Sequence, residues 1–500
     1  MKGVPDRYGL LLVCALALAV RLVGLGWGLP NELHVASYHP DEWSTVDTAL
    51  GMLRRGELDP RFFNYPSLSL YFATPALMLV GADAPRGVLF LAARLVTVLL
   101  AVLGVAFTAR LGRSLGSPRV GLLAAAILAL LPLHVVNSHF ATVDVPLTTW
   151  CTLALWAACE LAEGGGSPWK WTLLGALACG LAAGTKYNGV LALLPLLLGL
   201  GLGRRGWRPM LAALAIAAAV FALTSPYVFF DPQAMKDIRF ELFVHPLDTN
   251  LFHGVGPGWW FHLRHSLPTA CGVLVPLAAL AGAWRARRDR RVWPLLLWLA
   301  MVALTLLRTR ELFIRYLLPM LPVFAVLAAL AVRRVPGKWR CALIFLFLAG
   351  LVLRSRAYVA LMDREDPRDA AARWCFAHLP AGESIGELGF TWFESVPLRP
   401  NNSGHPRHDA LDESPFKLHS DWHAWAAHPP DWLVINDTHR LAEFADQPGQ
   451  WEELTAGYRL VRTFEARAHL LPGWTETGRG SRQHDWLYLF PVIEIWQRQD

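Results

Sequence analysis

Long apolar runs recur along this chain and leave few folds open to it. Residues 9–29, 88–109, 120–136, 209–225 and 312–332 each approach the ~20 apolar residues that cross a bilayer as a helix. In hydrocarbon every backbone N–H and C=O must find a partner within the chain, so such runs fold as helices. Of the 500 residues, 54% are hydrophobic and only 17% are charged, more apolar than a soluble domain of this size requires. The chain therefore reads as a polytopic, mostly α membrane protein. The first run has no small-residue cleavage site and ends in Trp27-Gly28-Leu29-Pro30, so it reads as a retained anchor rather than a signal peptide.

Charge sets the orientation. The net charge is +7. The basic residues fall in loops at alternate ends of the runs, so nucleic acid is not needed to explain them. Short basic loops mark the cytoplasmic side. Here they are Lys2/Arg7, Arg110/Arg113/Arg119, Lys170, Arg204/Arg205/Arg208, Arg285 to Arg291, and Arg333/Arg334/Lys338/Arg340. Loops with fewer positive charges, at 30–86, 137–144, 184–188, 226–258 and 308–311, then face outward. Alternation is satisfied by about eleven spans in the cytoplasmic membrane, with the N-terminus inside and the C-terminal region outside. This requires the apolar stretch 65–80 to lie at the outer interface, because counting it as a span would move 110–119 outside. Residues 42–55 read as a second interfacial helix: Trp43, Val46, Leu50 and Leu53 recur at helical spacing and make one apolar stripe. The first outer loop, 30–86, thus carries its own helices, and loops of that length are usually functional.

After Arg356 the composition turns polar and rich in Trp and His. Residues 356–500 are expected to form a small α/β domain on the outer face, beside a membrane domain at 1–355. Asp366-Pro367 opens a helix through Leu379. Ser384-Ile385-Gly386 and Trp432-Leu433-Val434-Ile435 read as buried strands, and 458–463 and 486–495 as further ones. All the cysteines except Cys375 lie inside apolar runs, with neither a disulfide framework nor metal-ligand spacing.

Ionisable side chains beside hydrocarbon are costly and usually functional. With this topology Asp41, Glu42, Asp144, Lys186, Arg308, Arg310, Glu311 and Arg315 all fall at outer ends of spans. Arg94 lies about 9 Å into the second span, as a structural partner for a carboxylate. A coupled ion pathway would place charge nearer mid-membrane. Acids and bases gathered at one surface suit an outward-facing catalytic site. His39-Pro40-Asp41-Glu42 is the most informative stretch, with two adjacent carboxylates just beyond the first span. Successive residues point in different directions, so only one carboxylate reaches a given atom. Plain N-capping of the helix at Trp43 competes with this reading. The same competition applies to Asp144, just ahead of Pro146. Lys186, in Gly184-Thr185-Lys186-Tyr187, is a lysine outside, against the charge trend. It either binds phosphate or snorkels to headgroups. Arg315, in Arg315-Tyr316-Leu317-Leu318-Pro319, matches phosphate oxygens geometrically. Histidines 245, 253, 262 and 265 lack a helical His-x-x-x-His pair. No metal site is assigned, and a divalent metal is the one cofactor left open. Asn401-Asn402-Ser403 fits a glycosylation acceptor, a pattern common by chance. Nucleophile motifs, Walker loops and dinucleotide fingerprints are absent from the sequence.

In their order, these motifs resemble the membrane glycosyltransferases that use polyprenyl-phosphate sugars, the group of the protein O-mannosyltransferases and lipid A aminoarabinose transferases. They are His39-Pro40-Asp41-Glu42, Asn64-Tyr65-Pro66-Ser67-Leu68, Arg94, Val143-Asp144-Val145-Pro146, Thr185-Lys186-Tyr187 and Arg315-Tyr316-Leu317-Leu318-Pro319, covering about residues 10–330. The resemblance implies the GT-C fold, with interfacial helices in the first outer loop. It makes Asp41, Glu42 and Asp144 the catalytic candidates and His39, Tyr65, Arg94, Lys186, Tyr187 and Arg315 the substrate-binding ones. One departure stands out. Aminoarabinose transferases carry a lysine directly before the proline where this chain has Tyr65, so that sugar is not carried over.

The expected chemistry is a single displacement that inverts the anomeric carbon. Asp41 takes the acceptor proton, Lys186 and Arg315 hold the departing lipid phosphate, and Glu42 and Asp144 orient sugar or acceptor. No second carboxylate nucleophile is needed. The expected partners are a polyprenyl-phosphate sugar, membrane lipid and a hydroxyl acceptor on protein, lipid or glycan. A transporter or flippase of lipid-linked sugars predicts mid-bilayer charges and pseudo-symmetric halves, and the sequence has neither. A non-catalytic scaffold leaves the outer carboxylates without a purpose.

Overall fold

The computed structural model describes all residues except 1–3, 165–166, 248–250, 253–254, 389–392, 400–413, 445 and 500. The Asn401-Asn402-Ser403 triplet and His253 lie outside the described residues. The chain begins with α1 (Val4–Leu22), followed in the loop after it by α2 (Glu42–Arg55) and α3 (Leu68–Val80). Then come α4 (Arg86–Leu115), α5 (Pro118–Leu130), the short α6 (Pro132–Asn137), α7 (Asp144–Glu163), α8 (Pro168–Thr185), α9 (Leu193–Leu202) and α10 (Trp207–Thr224). The next segment holds α11 (Pro232–Arg239), α12 (Gly258–Phe261) and α13 (Leu267–Cys271). The membrane domain closes with α14 (Leu274–Ala286), α15 (Trp293–Arg308), α16 (Leu321–Arg333) and α17 (Gly337–Met362).

Among the described residues, six helical segments are long and apolar enough to cross a membrane, or seven if Gly258–Cys271 and Leu274–Ala286, bent by 104°, count as one span. Shorter apolar helices at Tyr8–Leu22, Leu68–Val80, Pro118–Leu130 and Tyr187–Leu202 accompany them. Length and composition alone therefore do not reach the expected eleven, because several expected crossings are carried by short helices. The length of α3, 13 residues or about 20 Å, falls short of a ~30 Å hydrocarbon core. Its Ala73 and Leu77 pack with Val46, Ala49 and Leu50 of α2 and with Leu89, Phe90 and Ala93 of α4. The apolar stripe expected on α2 is thus the face that closes this cluster through Val46 and Leu50, with Leu53 packed half-buried against it; Trp43 is half-buried.

Small residues let the membrane helices approach closely. Where α4 crosses α5, a Cβ on Gly121 would collide with the Ala109 carbonyl. After α1 the chain turns at Gly28, whose φ of +57° suits glycine, and Tyr38 N–H returns to the Gly28 carbonyl at 3.0 Å. That closed loop delivers His39 to Glu42 beside the start of α4.

The last long helix, α17, runs to Met362, past the expected boundary at 355. Asp366 then caps α18 (Pro367–His378) through a side-chain bond to the Arg368 N–H, as the sequence predicts. The C-terminal domain is built on a five-stranded sheet of β1 (Ser384–Gly386), β2 (Lys417–His419), β3 (Trp432–Asn436), β4 (Tyr458–Glu465) and β7 (Val492–Arg498). Its order is β2-β1-β3-β7-β4. The β1 pairings are parallel, and β7 runs antiparallel to both β3 and β4. Three helices, α19 (Asp437–Phe444), α20 (Pro448–Thr455) and α21 (His484–Leu487), and a hairpin, β5 (Arg467–Leu471) with β6 (Trp474–Thr477), complete the domain. The strand expected over 486–495 begins only at Val492. Trp486 and Leu487 belong to α21, and their side chains are buried.

The two parts share an interior. Arg368 is fully buried, paired with Asp366 at 2.7 Å, and its guanidinium lies 3.7 Å from the Tyr38 ring centroid. Asp369 accepts from the Tyr38 hydroxyl and from Asn31 at 2.8 Å, and it lies 3.4 Å from His34. These contacts fasten the outer loop that carries the Asp41 motif to the C-terminal domain.

Candidate active site

Four side chains from distant parts of the sequence form one alternating chain of charge. Asp41 Oδ2 pairs with Arg315 Nη2 at 3.1 Å. Arg315 Nε lies 3.8 Å from Asp144 Oδ2. Asp144 Oδ1 pairs with Lys186 Nζ at 2.9 Å. Each sits where regular helix starts or stops. Asp41 ends the tight turn before α2, where the Glu42 N–H bonds the His39 carbonyl at 3.2 Å. Asp144 is the first residue of α7. Lys186 is a single extended residue between α8 and the 3-10 turn Tyr187–Ala192. Arg315 is the second residue of the 3-10 turn Ile314–Met320, which leads into α16.

This geometry shows what each of these side chains touches. Asp41 occupies the N-cap of α2 and makes no side-chain cap bond. Asp144 caps nothing either; its carboxylate is spent on Lys186 and Arg315. Lys186 is not a snorkelling lysine: besides Asp144, its ammonium lies 5.8 Å from the Tyr65 ring and 5.3 Å from the Tyr316 ring. Arg315 stacks over Phe313 at 4.1 Å. Arg315 Nη1 is buried and has no hydrogen-bond partner among the described residues. A buried guanidinium N–H left without an acceptor is costly and suits an incoming anionic oxygen. Asp41 is the most accessible of the four, with 24% side-chain exposure against 17% for Lys186 and 6% for Asp144 and Arg315.

Burial alone would raise the Asp41 carboxyl, but Arg315, with His39 and Lys186 behind it, holds it below the usual carboxylate range. His39 is pushed down to about 4, chiefly by burial, so its imidazole is neutral at ordinary pH. Its ring packs 4.5 Å from Phe140 and 5.5 Å from Tyr488. Its Nδ1 accepts the Asp41 N–H at 3.3 Å, which fixes the backbone of the acid.

Glu42 is placed differently from its neighbour. It is fully buried against Arg94, with Arg94 Nε on Oε1 at 2.8 Å and Nη2 on Oε2 at 2.6 Å. The Ala141 N–H takes Oε1 at 2.8 Å and the Ser37 hydroxyl takes Oε2 at 2.7 Å. Arg94 completes the knot by donating to the carbonyls of Leu25 and Trp27, both at 2.7 Å. Arg94 thus takes one of the two roles the sequence offered it: its guanidinium goes to Glu42 and two backbone carbonyls rather than standing open to a substrate. Glu42 braces the loop under Asp41, and no oxygen of it is left to orient a substrate.

The remaining candidates sort by contact. Tyr65 borders Lys186, whereas Tyr187 is a strut whose hydroxyl donates to the Phe63 carbonyl at 2.7 Å. Arg308 and Arg310 are exposed and do not join the cluster. His262 bonds Ser266 at 3.0 Å and His245 stacks on Phe240 at 6.0 Å. Among the described residues, no group of three His, Cys, Asp or Glu is placed to hold a metal. Sequence reasoning missed Tyr316, although it adjoins Arg315. It also missed Glu241, which accepts from Asn64 at 2.9 Å beside the site. Asp485 and Tyr488 of the C-terminal domain carried no signal at all, because only tertiary docking brings them here.

Comparison with known proteins finds relatives in sequence and in fold. The dolichyl-phosphate-mannose-protein mannosyltransferase family profile matches residues 13–202. An undecaprenyl phosphate-alpha-4-amino-4-deoxy-L-arabinose arabinosyl transferase of Pseudomonas aeruginosa is 31% identical over 63% of this chain, a match that spans 58% of that relative's length. The corresponding enzyme of Pseudomonas paraeruginosa is 30% identical over 68% of this chain and 64% of its own. The crystal structure of ArnT from Cupriavidus metallidurans bound to undecaprenyl phosphate superposes with a TM-score of 0.54 at 15% identity, covering 97% of both chains. The archaeal oligosaccharyltransferase AglB of Archaeoglobus fulgidus, in complex with an inhibitory peptide and a dolichol-phosphate, gives 0.53 at 12% identity over 95% of this chain and 74% of its own. By motifs, relatives and fold, the chain is related to the GT-C membrane glycosyltransferases that use polyprenyl-phosphate sugars.

Proposed function

We propose that this protein transfers a sugar from a polyprenyl monophosphate to a hydroxyl acceptor at the outer face of the cytoplasmic membrane, with inversion at the anomeric carbon. The observation that carries this reading is the Asp41–Arg315–Asp144–Lys186 chain, which pairs an accessible carboxylate with two cations suited to a lipid phosphate. The topology that goes with it has eleven crossings, the N-terminus inside and the C-terminal domain outside.

The acceptor oxygen attacks the anomeric carbon as the bond to the phosphate oxygen breaks, and the acceptor proton passes to Asp41. The leaving lipid phosphate takes up negative charge, which Lys186 and Arg315 neutralise. Before the donor arrives, Arg315 depresses the basicity of Asp41. When Arg315 turns toward the phosphate, that hold weakens and Asp41 becomes the stronger base it needs to be. Donor binding and base activation are thereby one event. Asp144 keeps Lys186 in place, and Glu42 with Arg94 keeps Asp41 in place.

Incubating the purified protein with a labelled polyprenyl-phosphate sugar tests the reading. Transfer, or slow release of the sugar to water, is the expected result. An intact donor, under conditions where the same protein moves the lipid across a vesicle membrane, would point to transport instead.

A further inference from the structure

The C-terminal domain enters the site through α21 and the turn that follows it. The Asp485 carboxylate accepts the Ile314 N–H through Oδ1 at 2.9 Å and the Arg315 N–H through Oδ2 at 3.0 Å. These are the first two residues of the 3-10 turn that carries Arg315, and the turn's own N-cap residue, Phe313, makes no side-chain cap. The first N–H groups of any helical turn lack partners within it. A residue from the other domain supplies the missing cap, with both oxygens used and charge assisting each bond.

Two neighbours of Asp485 make the same approach. The His484 ring lies 5.6 Å from Phe313, the ring on which Arg315 stacks. His484 is itself held by Glu394 Oε1 at 3.0 Å, and Oε2 of that carboxylate holds His439 at 2.9 Å. Tyr488 packs on His39, next to Asp41. Both ends of the Asp41–Arg315 pair thus rest on one segment of the outer domain.

We infer that Asp485 is a positioning residue for Arg315, so that the C-terminal domain completes the donor-phosphate site rather than merely sitting on it; this rests on the lipid-phosphate reading above. The test uses the full chain in detergent with undecaprenyl phosphate as the probe. Amide hydrogen exchange over 312–318, probe affinity and thermal unfolding are measured for wild type, Asp485→Ala, Asp485→Asn, Arg315→Ala and the double variant Asp485→Ala/Arg315→Ala.

Asp485→Ala should speed exchange at 314–315 and weaken probe binding about tenfold, the scale of a lost cap. Asp485→Asn, which keeps one acceptor oxygen, should fall between it and wild type. The double variant should bind no worse than Arg315→Ala alone, because the two changes remove the same contact. Additive losses would overturn the inference. So would unchanged affinity in a folded Asp485→Ala or, should that variant not fold, in Asp485→Asn. Failure of the wild type to bind the probe would overturn the lipid-phosphate reading, and the inference with it.

Discussion

Adjacent carboxylates at 41 and 42 have opposite physical situations, and substitutions should separate them. Asp41→Asn keeps shape and loses the base, so transfer should fall by about 10²–10⁴, the usual worth of a general base, while the melting temperature holds. Glu42→Ala should instead destabilise the fold by about 3–5 kcal/mol, because it strands the buried Arg94 guanidinium. Thermal unfolding and turnover of the two variants, measured side by side, check this. A Glu42→Ala protein with wild-type stability would remove the bracing role. Acidity gives another reading at this scale. Asp41 is held below the usual carboxylate range, so it is ionised at all higher pH and loses its charge only as pH falls through that low value. His39, at about 4, is neutral throughout the range above that value and gains its proton only as pH falls through it. The kcat/KM profile should therefore show no acid limb between about pH 5 and 7. A limb centred in that window would mean that some other group is the base. Of this pair, sequence revealed the presence and the position in the long loop after the first apolar run. It did not reveal which carboxylate was free, because that depends on Arg94 and Ala141 folding onto Glu42 from far along the chain.

The outer loop of the membrane domain is the element on which the site depends. Its α2 helix was readable from periodicity, and the α2 stripe buries where expected; α3 was placed by charge alternation, and at 13 residues it is as short as α5. Orientation is testable at exposed positions. In a Cys341→Ser background, Leu58→Cys should react with a membrane-impermeant maleimide in intact cells, and Arg287→Cys should react only after permeabilisation. Labelling with the opposite pattern would invert the topology. The 3-10 turns at Tyr187–Ala192 and Ile314–Met320 were not readable, although their motifs were. Their short range leaves no periodic signal, and the prolines at 319 and 322 mark only an interruption. The strand expected at 486–495 was misplaced for a related reason. Trp486 and Leu487 alternate acceptably with their neighbours, but they are buried as part of α21.

At the scale of the whole molecule, the C-terminal domain and the outer loop are fastened by Arg368, buried among Asp366, Tyr38 and the Tyr488 carbonyl, to which it donates at 2.8 Å. Arg368→Ala should cost about 3–5 kcal/mol of stability and lower transfer with it, since the same joint supports the site. Loss of stability without loss of activity would separate the domain from the chemistry. Nothing in the tail's composition pointed to this joint. A lone Arg in a helix reads as a surface residue until Tyr38, some 330 residues earlier in the sequence, and Tyr488 are placed around it.

The most direct measurement of the central claim is sugar release from a labelled polyprenyl-phosphate donor by wild type and Asp41→Asn, with donor binding followed in the same samples. The expected result is that the wild type binds and consumes the donor, whereas Asp41→Asn binds it and leaves it intact. Consumption by Asp41→Asn at the wild-type rate would contradict it.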